Sequence, residues 1–384
     1  MKTRITTWIF LLTLLGNITV FGQDIPPLII SSPLCRNCPV NRPFQTVGKQ
    51  LFDPCEAPVV LKGVNKMVYF DSQDPDGSKT FREIRSIGAN CVRIVWQMRG
   101  DNNGPPSSVA LLDKIITNAK ANNLIPIVGL WDYTGYSDGG FSKLDEYTAF
   151  WTRRDVVRLV QKHRSAMILN IANEAGMHEA EYNVDSLNMY AAVYKAKIRQ
   201  IRAAHIDVPI MIDGMDQGKS LHCFAVKGRE IANDDPAHNV IFSFHPYWPK
   251  SATGGTSYIA DKFAEVDTIT IPIVMGEVSK YGASDGSGAS VCSPAGIADY
   301  EQFIKRADAA GMGWLIWEWG PGNKDGIIPC PQMDMTSDGR AATIGANPGG
   351  ANSWVSDVAL TASYSVRNTA KRTGFIMNGF KACP

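Results

Sequence analysis

The sequence predicts an α/β fold, a (β/α)8 TIM barrel with a short N-terminal strand–turn plug and an extended C-terminal loop. Three observations predict it. Eight short apolar runs rich in Val and Ile recur along the chain, continuous rather than alternating, as strands buried on both faces of a parallel sheet must be. Their starts are 32, 34, 41, 43, 31, 32 and 41 residues apart, and each spacing suits one βα unit. The intervals carry helical periodicity. Eight such repeats close into a barrel. The competing open, doubly wound sheet calls for a Gly-rich phosphate turn after an early strand, and this chain has none.

In chain order, residues 1–23 read as a secretory leader. Lys2 and Arg4 make its positive start and Trp8 to Leu15 its short apolar core, with cleavage expected between Val20 and Asp24. An uncleaved anchor is the alternative, but no segment approaches the roughly 18 uninterrupted apolar residues of a membrane span. Residues 24–384 are then expected to form one barrel domain. Phe44 to Cys55 reads as the strand and turn of a plug at the barrel floor. The eight strand signals are Val59 to Asn65, Cys91 to Trp96, Ile125 to Trp131, Ala166 to Glu174, Pro209 to Gly214, Val240 to Tyr247, Pro272 to Val278 and Gly313 to Trp319.

Helical stripes lie between them. They are Val109, Leu112, Ile116 and Ala119; then Val156, Leu159, Val160 and His163; then Leu187, Tyr190, Ala191, Tyr194, Ile198 and Ile201; then Ile297, Tyr300, Ile304 and Ala307. Each stripe reads as helix packed on sheet, and Ser107 or Ser108 caps the first. After the last strand come a Gly/Pro-rich loop and one expected helix, Ser353 to Lys371.

Composition narrows the function. The chain is 45% hydrophobic and 20% charged with a formal charge of +1, which excludes general disorder. Without the leader, 36 basic residues face 37 acidic ones. A near-neutral chain without long charge runs argues against nucleic acid or a polybasic membrane contact. Eight Cys follow the leader, and an even count in an exported chain suggests disulfides. Cys91, inside an apolar strand, is expected to be a buried free thiol. Cys35 and Cys38 are expected to form a local bridge. Asp71 to Gly77 resembles a calcium loop but has Arg82 where the closing Glu belongs, so a solvated turn is expected. The histidines form no ligand cluster by spacing, and no cofactor or metal is expected.

Catalytic groups of such a barrel lie at the carboxyl ends of its strands. Those ends carry Arg93, Trp131-Asp132, Asn173-Glu174, Asp213, His245 and Tyr247, Glu277, Trp317 and Trp319. Glu174 and Glu277 each terminate an apolar strand, where a carboxylate is costly unless paired or used. Each alone reads as an ion-pair partner of Arg93; together at strand ends four and seven they suggest an acid/base pair. Two carboxylates among aromatic rings suit glycoside hydrolysis. Of the other aromatics, Trp248 and Tyr133 read equally as outer sugar platforms or loop packing, and Trp151 as helix-to-barrel packing.

At this point the chain resembles glycoside hydrolase family 5, retaining barrel glycosidases that include cellulases and β-mannanases. The resemblance runs from about Val47 to Asn323 and is carried by Leu61 to Asn65, Gly88 to Ile94, Asn170 to Glu174, His245-Pro246-Tyr247, Met275-Gly276-Glu277 and Gly313 to Trp319. It implies Glu174 as acid/base and Glu277 as nucleophile. It also implies a substrate-binding set of Arg93, Trp131, Asn173, His245, Tyr247 and Trp317. In that set Asn173 holds the sugar 2-hydroxyl, Arg93 and Tyr247 support Glu277, and Trp317 is the stacking platform, with Trp319 second to it. The carboxyls should then be about 5–5.5 Å apart.

Two departures stand out. The family commonly has His where this chain has Trp131, and often Pro where it has Ala175. The expected protein is a secreted monomer that binds a polysaccharide or oligosaccharide, most resembling the bacterial endo-β-1,4-mannanases. An endo-β-1,4-glucanase of the same mechanism and an inactive carbohydrate-binding barrel are the alternatives.

Overall fold

The structure is a computed structural model. It describes residues 41–99, 107–178, 180, 182–250, 255–282, 296–322, 330–346 and 353–383, all within the unit Cys35–Pro384. The expected leader and the Cys35–Cys38 bridge lie outside the described residues.

Eight parallel strands close into a barrel surrounded by helices. The chain opens with β1 (Gln45–Val47), β2 (Gln50–Phe52) and β3 (Pro58–Val59), a three-stranded antiparallel sheet. The barrel follows as β4 (Lys62–Lys66), β5 (Cys91–Trp96), β6 (Ile125–Leu130), β7 (Ile168–Asn170), β8 (Ile210–Asp213), β9 (Val240–Phe244), β10 (Ile273–Val278) and β11 (Gly313–Ile316). Each strand pairs with its successor, and β11 pairs with β4 to close the ring. All eight expected strands are present, several shorter than their apolar runs. Val59 belongs to the plug sheet, opposite Leu51, so the first barrel strand begins three residues later.

The helices are α1 (Thr80–Ser86), α2 (Val109–Ala121), α3 (Leu144–Trp151), α4 (Arg154–Lys162), α5 (Val184–Ala203), α6 (His222–Asp234), α7 (Gly255–Thr268) and α8 (Tyr300–Ala309). The α5 stripe is its buried face, with Leu187, Tyr190, Ala191, Tyr194, Ile198 and Ile201 all in the core, whereas Ile297 of the last stripe lies ahead of α8 and bridges Tyr281. Ser108 caps α2, its Oγ accepting from the Leu111 amide at 3.3 Å.

The plug is where the pattern placed it. Phe44, Leu51 and Val59 share a core with Leu61, Cys91, Ile125, Ile168 and Ile241 at or near the amino ends of the barrel strands. Phe375, Ile376 and Phe380 join them, and a Cys55–Cys383 disulfide ties plug to C-terminal segment across 328 residues. Cys91 is a buried free thiol, as expected, and Cys223 is buried too. Cys330 is disulfide-bonded.

Two expectations need correction. The single helix over Ser353 to Lys371 is instead α9 (Ser353–Ser356), a π-helical turn (Asp357–Thr361) and α10 (Val366–Thr369), with α11 (Gly374–Met377) beyond. The chain turns out of helix at Ala362 (ψ 152°) and restarts at Ser365, whose Oγ accepts from the Asn368 amide. The Asp71–Gly77 turn is not simply solvated. Asp71 is 5% exposed and pairs with Lys66 at 2.9 Å, and Asp74 accepts from the Thr80 amide at 2.7 Å.

Candidate active site

The site is built outward from one buried cation. Arg93 of β5 has no exposed surface. A guanidinium there needs its donors satisfied and its charge balanced. The neighbouring strands supply both. Nη1 donates to Glu277 Oε1 at 2.8 Å and Asn65 Oδ1 at 3.1 Å. Nη2 donates to Asn173 Oδ1 at 2.6 Å, Asn170 Oδ1 at 2.7 Å and Asp213 Oδ2 at 3.1 Å. Nε reaches Asn170 Oδ1 at 3.2 Å. Polar residues from β4, β7, β8 and β10 thus converge on one side chain of β5, which only ring closure permits.

Glu277 sits on β10, 2% exposed. Arg93 holds its Oε1 and the Tyr247 hydroxyl donates to its Oε2 at 2.6 Å. Both oxygens are charge-assisted acceptors, so the carboxylate is locked in orientation. Burial beside that carboxylate raises the Tyr247 pKa well above its usual value, so the phenol stays a donor.

Glu174 follows β7 in the left-handed region, at φ 53°. A non-Gly residue there is a marked backbone choice that clusters at functional sites. Its amide donates to Asp213 Oδ2 at 2.9 Å, which pins the turn. Its Oε1 meets His245 Nδ1 at 2.9 Å, and its side chain keeps 17% exposure. Burial raises its pKa; the His245 hydrogen bond lowers it and the Glu277 charge raises it again, and the net direction is upward. His245 is fully buried. Burial pulls its pKa down, but the charges of Glu277 and Asp213 and its bond to Glu174 outweigh that and raise it.

Two glycines make room for this histidine. A Cβ on Gly276 would lie 2.2 Å from Ser243 Oγ and 2.9 Å from His245 Nε2. One on Gly218, at φ +79°, would lie 2.9 Å from His245 Nδ1.

Oxygens of Glu174 and Glu277 and a nitrogen of His245 lie within 4.8 Å of one another. These three are also the grouping among the described residues that could share a metal ion. Each already has protein partners: His245 for Glu174, Arg93 and Tyr247 for Glu277. Two close carboxyls, one partly exposed and inclined to keep its proton, the other buried and held by donors, are the arrangement that an acid beside a nucleophile needs.

The aromatic residues divide. Trp317, just beyond β11, is 6% exposed and stacks face to face on Trp131, with centroids 4.9 Å apart and planes within 7°. Trp319 is fully buried, its indole donating to Gly339 O at 2.9 Å, and so belongs to the core. Tyr133 and Trp248 are 4% exposed and pack within loops and helices. Trp151 donates to Ile171 O at 2.9 Å and packs its helix on the barrel. Asp132 accepts from the Met98 and Arg99 amides, both at 2.9 Å, and braces a loop.

Sequence reasoning placed Asp213 at a strand end without a role and passed over Asn65 and Asn170. The signal was present: each is a polar residue inside an otherwise apolar strand run.

The family model described as Cellulase (glycosyl hydrolase family 5) matches residues 52–323. The chain is 26% identical over 334 residues to a mannan endo-1,4-beta-mannosidase of Cellvibrio japonicus (strain Ueda107), covering 86% of this chain and 68% of that protein. It is 25% identical over 297 residues to one from Salipaludibacillus agaradhaerens, covering 77% and 86%. Among solved structures it is similar to the catalytic domain of a mannanase from Streptomyces sp. SirexAA-E. The TM-score is 0.68 at 22% identity, over 90% of this chain and 98% of that one.

Proposed function

The chain belongs to glycosyl hydrolase family 5, and from that membership we propose that it is a secreted, retaining endo-β-1,4-mannanase with Glu174 as acid/base and Glu277 as nucleophile. The observation that carries the reading is the carboxyl pair: oxygens within 4.8 Å, close to the separation of about 5–5.5 Å between the carboxyls of retaining enzymes, with unlike environments. The choice of mannan is supported by the names of the curated relatives.

In the first step Glu277 attacks the anomeric carbon while Glu174 gives its proton to the leaving oxygen. The raised pKa of Glu174 keeps that proton available. Forming the glycosyl ester removes the Glu277 charge, which is one of the causes raising Glu174. Glu174 becomes more acidic and then takes a proton from water, which releases the sugar with its configuration retained. Arg93 and Tyr247 orient the nucleophile and receive it again as leaving group. His245 acts through Glu174 and Asp213 and is a positioning residue. Asn173 Nδ2 donates to Thr134 Oγ1 at 3.1 Å, which leaves its second hydrogen for the sugar 2-hydroxyl. Trp317 supplies the aromatic platform, with Trp131 stacked beside it.

Export rests on the leader at residues 1–23, with residues 24–384 as a single domain acting as a monomer. No helix among the described residues is long and apolar enough to cross a membrane.

The test is product release from mannan, glucomannan, a soluble cellulose derivative, mixed-linkage glucan and xylan, with Glu277→Ala alongside. Mannan and glucomannan should be cleaved, and the variant should lose on the order of 10⁴-fold or more in kcat. Formate should rescue it with inverted product. Cleavage of the glucans alone moves the substrate to cellulose-type chains, the reading favoured by the family model's description. Undiminished turnover in the variant removes Glu277 as nucleophile.

A further inference from the structure

The geometry points to Trp131 as a cover over the sugar platform, a specificity-determining residue that a substrate must displace before its ring can lie on Trp317. This inference rests on the glycosidase reading above.

Trp131 directly follows β6, and its amide still donates to Trp96 O of the neighbouring strand at 2.9 Å. Its backbone is therefore part of the barrel rim, and only the side chain is placed to move. That side chain lies flat on Trp317 with centroids 4.9 Å apart and planes within 7°. Trp317 also packs with Val95, Cys330 and Met333 and keeps 6% of its surface. A flat ring face accepts one partner at van der Waals distance. While Trp131 occupies the face of Trp317, a pyranose cannot. The covering ring is close to the reacting groups, since Cζ of Arg93, whose Nη1 donates to Glu277, lies 5.8 Å from its centroid.

A second observation shows that this pose is not fully satisfied. The indole nitrogen of Trp131 is buried with no hydrogen-bond partner among the described residues. A buried donor without an acceptor loses its hydration and gains nothing in return, whereas Trp usually finds a partner for its N–H when buried. Stacking and the nearby guanidinium favour the closed pose; the stranded N–H opposes it. Turning the ring outward returns the N–H to water and bares Trp317. Closed molecules then outnumber open ones about tenfold or more, with the stranded N–H keeping the open form within reach. Apparent affinity for any ligand that needs the platform is reduced by the open fraction, while sugars held only at outer positions are unaffected.

The experiment uses the full chain carrying Glu277→Ala, so that ligands survive, with Trp131→Ala and Trp131→Phe added separately. Binding of mannohexaose, cellohexaose and xylohexaose is measured by calorimetry, with thermal unfolding as the folding control. Trp131→Ala should bind at least one of these sugars tenfold or more tighter than its parent. Trp131→Phe keeps a stacked ring without the stranded N–H, so it should bind no tighter than the parent.

Weaker binding in the Ala variant with parental binding in the Phe variant overturns the proposal, because Trp131 is then itself the platform. Unchanged binding of all three sugars, or binding of none by the Ala variant, also overturns it. Tightening for cellohexaose but not mannohexaose upholds the cover and sinks the mannan reading. If the Ala variant fails to fold, the parent decides. The exciton signal of the stacked indoles in circular dichroism should collapse on saturation with the tightest-binding sugar, and its persistence overturns the cover.

Discussion

Arg93 carries more of the site than any other side chain, and its chemistry cannot be supplied by a second cation. Its fork meets carboxylate or amide oxygens of Glu277, Asn65, Asn170, Asn173 and Asp213. Lysine offers a compact charge with three donors. Arg93→Lys should therefore lower kcat by about 10²–10³ in steady-state assays, with buried acceptors left unmatched. His245 makes a different prediction. Glu174, as the proposed acid, must be protonated in the first step, so kcat/KM should fall as pH rises through its raised pKa. The His245 hydrogen bond lowers that pKa. Removing it in His245→Ala should move the alkaline limb of the kcat/KM profile to higher pH while the maximum rate drops. An alkaline limb that stays in place, or moves down, would show that His245 does not act on Glu174.

At the scale of elements, the ends of β7, β9 and β10 must approach closely enough for Glu174, His245 and Glu277 to meet. Gly276 on β10 is the tightest of these approaches. Gly276→Ala should displace His245, cost about 1–3 kcal/mol by overpacking and reduce kcat/KM, measured together by thermal unfolding and kinetics. On the outer layer, His163 after α4 bonds Asp113 of α2 at 2.6 Å. Burial lowers its pKa to about 4, though the Asp113 bond opposes the shift. The folded chain thus binds fewer protons there than the unfolded one. The sign follows: this contribution is complete above about pH 6.5 and is lost as pH falls toward 4. His163→Gln should flatten stability against pH in that window in urea titrations. The element that sequence misplaced is the C-terminal helix. The sequence reads Ser353 to Lys371 as one helix, but the chain breaks at Ala362 and restarts at Ser365.

For the whole molecule, the two ends of the barrel have separate duties. The amino ends of the strands carry the plug, α11 and the Cys55–Cys383 disulfide, while the carboxyl ends carry Glu174 and Glu277. A crosslink closing so long a loop restrains the unfolded chain strongly. Replacing Cys55 and Cys383 by Ser should cost about 2–4 kcal/mol in stability yet leave kcat at 25 °C within about twofold, since the site lies at the opposite end. A large loss of kcat with an intact fold would show that the floor and the site are coupled.

What the sequence by itself determined is the part governed by pattern. Continuous apolar runs at βα spacing specified eight buried parallel strands, stripes specified the faces of the helices, and position at strand ends singled out Glu174, Glu277, Arg93, His245 and Tyr247. Pattern works there because burial acts on each residue through its own environment. Tertiary structure alone decided what depends on residues far apart in the chain. Asn65, Asn170 and Asp213 were visible only as polar residues in apolar strands; ring closure made them the acceptors of Arg93. Cys55 found Cys383 because the plug and the C-terminal segment meet at the floor. Trp131 found Trp317 because β6 and β11, three strands apart in the ring, both end at the barrel mouth, and no local spacing records that approach.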